Sequence, residues 1–165
     1  MNRNEVLLME FEREADKTRT MLERVPMDKA DWKPHDKSFT MGRLAGHVAE
    51  IPNWADATLN QDELDFSKMD YKPFVPETSE DLLKFFDDTR TKAADILKNT
   101  SDEVLMQDWT MRDGDTVYFT APKIGVLRDF VLNHVIHHRA QLGVYLRMND
   151  VAVPQTFGPT ADEQM

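Results

Sequence analysis

The sequence predicts an all-α fold, a four-helix bundle, on three observations. Apolar residues recur at helical spacing along four stretches, each stretch is about 20 residues long, and one chain of 165 residues has to pack them together. A domain of this size buries roughly 70% of the surface its unfolded chain exposes, so it needs no disulfide or structural metal. Residues 1–165 are therefore expected to form a single domain. Two departures from the helical pattern are expected: a long crossover after helix 2 and a short β-hairpin before helix 4.

The first helix is expected over residues 5–24. Leu7, Phe11, Ala15, Thr18, Leu22 and Val25 repeat at steps of four and three, which places them on one helical face. Pro26 and Pro34 bound a connection with a turn across residues 28–32. Ser38 or Thr40 can cap the second helix, because a side-chain oxygen there accepts from an unpaired first-turn amide. Its inner face carries Met41, Leu44, His47, Val48, Ile51 and Ala55. Pro52 lies inside this run and lacks an amide proton, so it should kink or interrupt the helix. Residues 60–76 are acidic, contain prolines and show no sustained period; they read as a long crossover loop. The crossover implies that at least two consecutive helices are not simple antiparallel neighbours.

Thr78 and Asp81 fit a capping box at the start of the third helix. Leu82, Phe86, Ala93 and Leu97 share one face of it, and it should stop near Lys98. The period then changes. Residues 109–112 and 115–119 read as a hairpin around Asp113-Gly114, because Asp-Gly supplies the positive φ angles of a tight turn. Pro122 suits the first turn of the fourth helix. That helix should run to about Met148 and end at Asn149 and Asp150, leaving a tail from Val151 with two prolines and a glycine.

Composition removes several functions. The chain has no cysteine, which excludes disulfides, cysteine-based zinc sites and a protein thiol nucleophile. The net charge of -10 makes nucleic acid and anionic membranes poor partners, since phosphate needs a basic face. The N-terminal residues turn charged before any apolar run of signal-peptide length, and no segment approaches the ~20 apolar residues that span a bilayer. A cytoplasmic, soluble protein acting on a small molecule is expected.

Three of the five histidines lie within residues 134–138. His134 and His138 are spaced i,i+4, so on a helix they lie roughly 40° apart, one above the other. At about 100° per residue, Leu127, Val131, His134, His138, Leu142 and Tyr145 form one core-facing stripe, and His137 projects about 90° from it. Two adjacent core-facing imidazoles each need partners for both nitrogens. His47 lies on the inner stripe of helix 2. Three histidines converging inside a bundle fit a metal with three protein ligands and open positions. His137 in place of His138 would make an i,i+3 pair, which a helix also permits, although its position off the stripe weighs against it. His35 sits in a polar loop and is expected to be exposed. Glu50, three residues after His47, fits a ligand or a ligand's partner, but a solvated helix residue is the stronger expectation. Di-iron bundles need Glu-x-x-His pairs, and no histidine here has a Glu three residues before it. A zincin helix needs His-Glu-x-x-His, and Val135 follows His134.

The segment NHVIHHRAQLGVYLRMNDVAVP resembles the His-x-x-x-His helix of the DinB family, with its His-Arg-Gly-Gln-Leu continuation and Leu-Arg end. TMGRLAGHVAEIPNW resembles the family's second-helix histidine motif, and TFGPTADE its tail. The resemblance implies a four-helix bundle, often described as up-down-down-up, with a divalent metal on His47, His134 and His138. His137 matches a non-ligand position, and Ala140 stands where the family often has Gly. Members with assigned activity use a low-molecular-weight thiol, as bacillithiol-type S-transferases or as a mycothiol-dependent isomerase. The implied function is a metal-dependent transferase that activates such a thiol for attack on an electrophile, with zinc or nickel as cofactor. The alternatives are a hydrolase using metal-activated water and a non-catalytic metal-binding module. Trp54, Arg139, Gln141 and Tyr145 lie near the ligands in sequence and are candidates to bind substrate; Arg139 reads equally as a structural ion-pair partner. A homodimer through outer helix faces is expected by analogy alone.

Overall fold

The structure, a computed structural model, describes residues 2–164. Helix α1 (Arg3–Leu22) buries Leu7, Phe11, Ala15, Thr18 and Leu22, the face its period predicts. The Asn2 amide donates to Glu5 Oε2 at 2.9 Å at its start. Helix α2 (Met41–Glu50) begins where the Thr40 hydroxyl accepts from the Arg43 amide at 3.2 Å. Pro52 breaks the second helix as expected, into a 3-10 turn (Ile51–Asn53) and α3 (Trp54–Leu59). Helix α4 (Ser79–Asn99) starts at Thr78, whose hydroxyl accepts from the Asp81 amide at 3.0 Å. A short α5 (Asp102–Leu105) follows. The last helical run is α6 (Lys123–Leu127), a π-helical turn (Arg128–Asn133) and α7 (His134–Met148). It ends beside Asp150, whose φ of 59° turns the chain away.

The all-α four-helix bundle is not what forms. The protein is mixed: beside its helices it has a three-stranded sheet in the order β1-β2-β3. Strands β2 (Asp108–Asp113) and β3 (Thr116–Pro122) make the expected antiparallel hairpin, with Gly114 at φ 55° in the turn. Strand β1 (Glu63–Asp65) lies inside the expected crossover loop and pairs parallel to β2. Three residues are too few to show a period of two. What holds them is tertiary: Leu64 joins Trp109, Met111 and Val126 in a small core of its own. The Asp65 carboxylate accepts from the amides of Ser67 and Gly114, tying the strand to the hairpin turn. Trp109 is fully buried and donates from Nε1 to the Ala57 carbonyl at 2.9 Å, which fixes the sheet to α3.

The larger core lies between the long helices. Helices α1 and α2 each pack against both α4 and α7. Among the described residues no helix is long and apolar enough to cross a membrane.

The π-turn alters the face that α7 presents. It holds one residue more than an α-turn, so a 100° count carried through it goes out of register. The buried residues beyond it are Val135, Arg139, Leu142 and Leu146; of the expected stripe Leu142 is buried, whereas His134, His138 and Tyr145 are not. The histidines sit beside the buried face, half-buried.

Arg139 is 2% exposed and its guanidinium meets Glu14 Oε2 at 2.6 Å, a side chain 3% exposed. It also donates to the Glu14 carbonyl at 2.9 Å and the Thr18 hydroxyl at 3.1 Å. Lys17 adds a second cation 2.9 Å from Glu14. Burial pushes the Glu14 carboxyl up, but Arg139 and Lys17 together hold it below its ordinary value. Removing one partner of a buried pair strands the other charge, so Glu14→Ala should cost about 3–5 kcal/mol in urea unfolding. Replacing Glu14 and Arg139 together by Leu and Met should recover most of that loss. A depressed carboxyl contributes stability above its unfolded pKa and loses it as pH falls. The gap between wild type and Glu14→Ala should therefore narrow below about pH 4.5.

Candidate metal centre

His47 comes from the middle of α2, and His134 and His138 from the first turns of α7. The two helices pack together, and one nitrogen from each ring lies within 4.8 Å of the other two. His47 Nε2 and His134 Nε2 are 3.3 Å apart. The ring centroids are 5.1 Å apart for His47 and His134, and 4.6 Å for each of the pairs that include His138. His137 is exposed and outside this cluster. His35 is exposed and accepts from the Lys37 amide.

The outward nitrogens decide what the cluster is suited for. His138 Nδ1 is 2.8 Å from Gln141 Oε1. The Phe130 carbonyl one turn earlier acts on His134 as an acceptor, favouring its protonated form. His47 Nδ1 is buried without a hydrogen-bond partner, and Glu50 Oε2 stands 3.7 Å from it. Each ring thus has an acceptor on its outer side. An acceptor there favours the Nδ1–H tautomer and leaves a lone pair on Nε2. The Nε2 lone pairs of His47 and His134 then face each other 3.3 Å apart, a nitrogen of each of the three rings lies within 4.8 Å of the other two, and facing lone pairs repel unless a cation lies between them. The donor set fits a divalent ion: the triad could hold a metal.

Electrostatics favour the ligating form of His134 and His138. Burial pushes His134 below its ordinary value, His47 and His137 add to this, and the Phe130 carbonyl opposes it. Burial pushes His138 down to about 4; Gln141 opposes this, and the other three histidines reinforce it. Neutral imidazole is the form that binds metal.

The family model for the DinB family matches residues 1–164. The chain belongs to the DinB family. It is 25% identical over 163 residues to the uncharacterized protein YrdA of Bacillus subtilis (strain 168), covering 94% of this chain and 89% of YrdA. Among solved structures it is similar to a DinB-like protein of Bacillus cereus ATCC 10987, with a TM-score of 0.72 and 20% identity over 93% of this chain and 97% of that one. It is also similar to the DinB-like protein YjoA of Bacillus subtilis, with a TM-score of 0.68 and 19% identity over 96% and 99%. At these identities the structural likeness speaks to the fold.

The candidate substrate residues of this DinB-family chain are scattered. Arg139 is turned to α1 and spent on Glu14, which is the ion-pair alternative. Gln141 bridges two rings, at 3.1 Å from His137 and 2.8 Å from His138. Tyr145 donates to the Phe39 carbonyl at 3.3 Å and meets the Trp32 edge at 5.4 Å. Phe39 in turn lies 6.1 Å from His47. Trp54 stacks on Phe130 at 5.0 Å, and Phe130 is 6.4 Å from His134, so Trp54 stands one ring removed from the cluster.

Glu50 corrects the sequence reading. It is not a solvated helix residue: its side chain is 13% exposed. Arg43, Tyr71 and Phe74, which contact it, carried no sequence signal. Gly46 did, because a glycine inside an otherwise packed helix often marks a close backbone approach. A Cβ on Gly46 would lie 2.2 Å from the Phe74 carbonyl oxygen.

The depressed His138 gives a pH signature. The unfolded chain takes up a proton near 6.5 and the folded one only near 4. The unfolded state therefore holds more protons between those values, and stability rises with pH across them. With chelator present, the urea midpoint should fall as pH drops from about 6.5 toward 4. His138→Asn should flatten that part of the profile.

Proposed function

We propose that His47, His134 and His138 hold one divalent cation, zinc or nickel, and that the protein uses it to activate a low-molecular-weight thiol for transfer to an electrophilic small molecule. The observation that carries this reading is the convergence of one ring nitrogen from each of the three histidines within 4.8 Å of the other two. A cation held there would supply the positive charge that stabilises a thiolate, the nucleophilic form of a thiol. Three protein ligands leave open positions, and the half-buried rings put those positions within reach of solvent.

The absence of cysteine is compatible with a thiol supplied by a cosubstrate, and one further observation favours a thiol over water. Among the described residues, Glu50 is the one carboxylate within 4.0 Å of a histidine nitrogen, and it lies on the outer side of His47. It is not placed to take a proton from water at the open face, whereas a coordinated thiol is deprotonated by the cation itself. The net charge of -10 supports a small-molecule partner over nucleic acid.

Purified protein should carry one zinc or nickel per chain by elemental analysis, and His47→Ala, His134→Ala and His138→Ala should each lose most of it. Loaded protein should consume a small thiol together with an alkylating electrophile and stop when chelator is added. Ester hydrolysis without thiol would instead make it a hydrolase. Metal binding with neither activity would make it a non-catalytic module, and full metal content in His47→Ala would sink the site as drawn.

A further inference from the structure

Among the described residues, the outer nitrogen of His47 is the one fully buried nitrogen of the triad without a hydrogen-bond partner. The group facing it is held with unusual care. Glu50 Oε1 accepts from the Phe74 amide at 2.6 Å. Glu50 Oε2 accepts from the Tyr71 hydroxyl at 3.0 Å and from Arg43 at 3.1 Å. Arg43 also donates to the Tyr71 oxygen at 2.9 Å. Three donors thus converge on one carboxylate at the last residue of α2, where the helix dipole disfavours an anion. Two of them, Tyr71 and Phe74, belong to the crossover between β1 and α4, which reaches α2 only because Gly46 has no Cβ to meet the Phe74 carbonyl.

Local helix stability does not explain this expense. An interaction with His47 does. Glu50 Oε2 faces His47 Nδ1 at 3.7 Å, just beyond hydrogen-bond reach. Charge withdrawn from the ring at Nε2 makes Nδ1–H a stronger donor, so occupation of the triad draws the two together. Glu50 is not placed as a fourth ligand, because its contact is with His47 Nδ1, on the side of the ring away from the His47 and His134 Nε2 atoms that face each other.

We propose that Glu50 is the positioning residue of the triad: clamped by Arg43, Tyr71 and the Phe74 amide, it sets the tautomer and orientation of His47, and so makes residues 71–74 of the crossover part of the metal site. The inference rests on the reading of the histidines as metal ligands and goes beyond it.

The test compares wild type, Glu50→Gln, Glu50→Ala, Tyr71→Phe and His47→Ala in two measurements. The first is Zn²⁺ affinity by competition with a chromophoric chelator. The second is the His47 tautomer in metal-free protein from ¹⁵N ring shifts. Glu50→Ala and Glu50→Gln should bind Zn²⁺ about 10–100-fold more weakly, and Tyr71→Phe should weaken binding less. The Nδ1–H signal of His47 should shift toward Nε2–H in both Glu50 variants, a change that a merely structural role would not produce. Thermal unfolding of each metal-free variant reports folding; if the Glu50 variants do not fold, Tyr71→Phe carries both measurements. Wild-type affinity and tautomer in the folded variants, with affinity lost in His47→Ala, overturns the role of Glu50 and leaves the metal site standing. Wild-type affinity in His47→Ala overturns both.

Discussion

The buried ion pair between Arg139 and Glu14 sets how α7 is turned, and the candidate site follows from that. A guanidinium 2% exposed has to have its donors filled, and only α1 offers the Glu14 carboxylate, the Glu14 carbonyl and the Thr18 hydroxyl together. With Arg139 committed to α1, His138 is directed about 100° around the helix from it. That direction faces α2 and brings the two α7 histidines to His47. The pair is thus less a source of net stability than a device for rotational register, since an apolar pair of the same volume would pack as well.

Two irregular features finish the placement. The π-turn just before His134 shifts the phase of the last helix, so that the apolar residues upstream and Arg139 downstream both face inward while the histidines come to the edge. A straight helix would have put the imidazoles deeper, where open coordination positions would have no access to solvent. Pro52 ends the regular part of α2 just past Glu50 and lets α3 turn toward the sheet. The sheet anchors there through Trp109 and Leu64, and the same crossover that supplies β1 returns across α2 to hold Glu50. The sheet is therefore joined to the helices at the point where the site is built.

The triad itself combines imidazole nitrogens with outer acceptors of three kinds: a carboxylate, an amide oxygen and a backbone carbonyl. Burial disfavours protonation of His134 and His138, and the acceptors choose which nitrogen keeps the proton. Together these leave one nitrogen from each of three rings within 4.8 Å of the other two. That is a costly arrangement for an empty cluster and a good one for a cation.

Much of this was legible in the residues alone. The i,i+4 pair of His134 and His138, the placement of His47 on an apolar stripe, the caps at Thr40 and Thr78, the break at Pro52 and the Asp113-Gly114 turn are all local signals, written in spacing and backbone preference. The all-α reading failed because β1 is three residues held by contacts with β2 and Trp109, too short for any period to show. The stripe on the last helix failed because a π-turn changes phase without a sequence mark. Glu50 read as solvated because its partners come from 21 and 24 residues away, across a segment with no period. Spacing and apolar pattern already show which histidines are available and on which helices they lie. Which nitrogens face one another depends on how far α7 is rotated, and that rotation is set by a buried charge pair on another face of the helix.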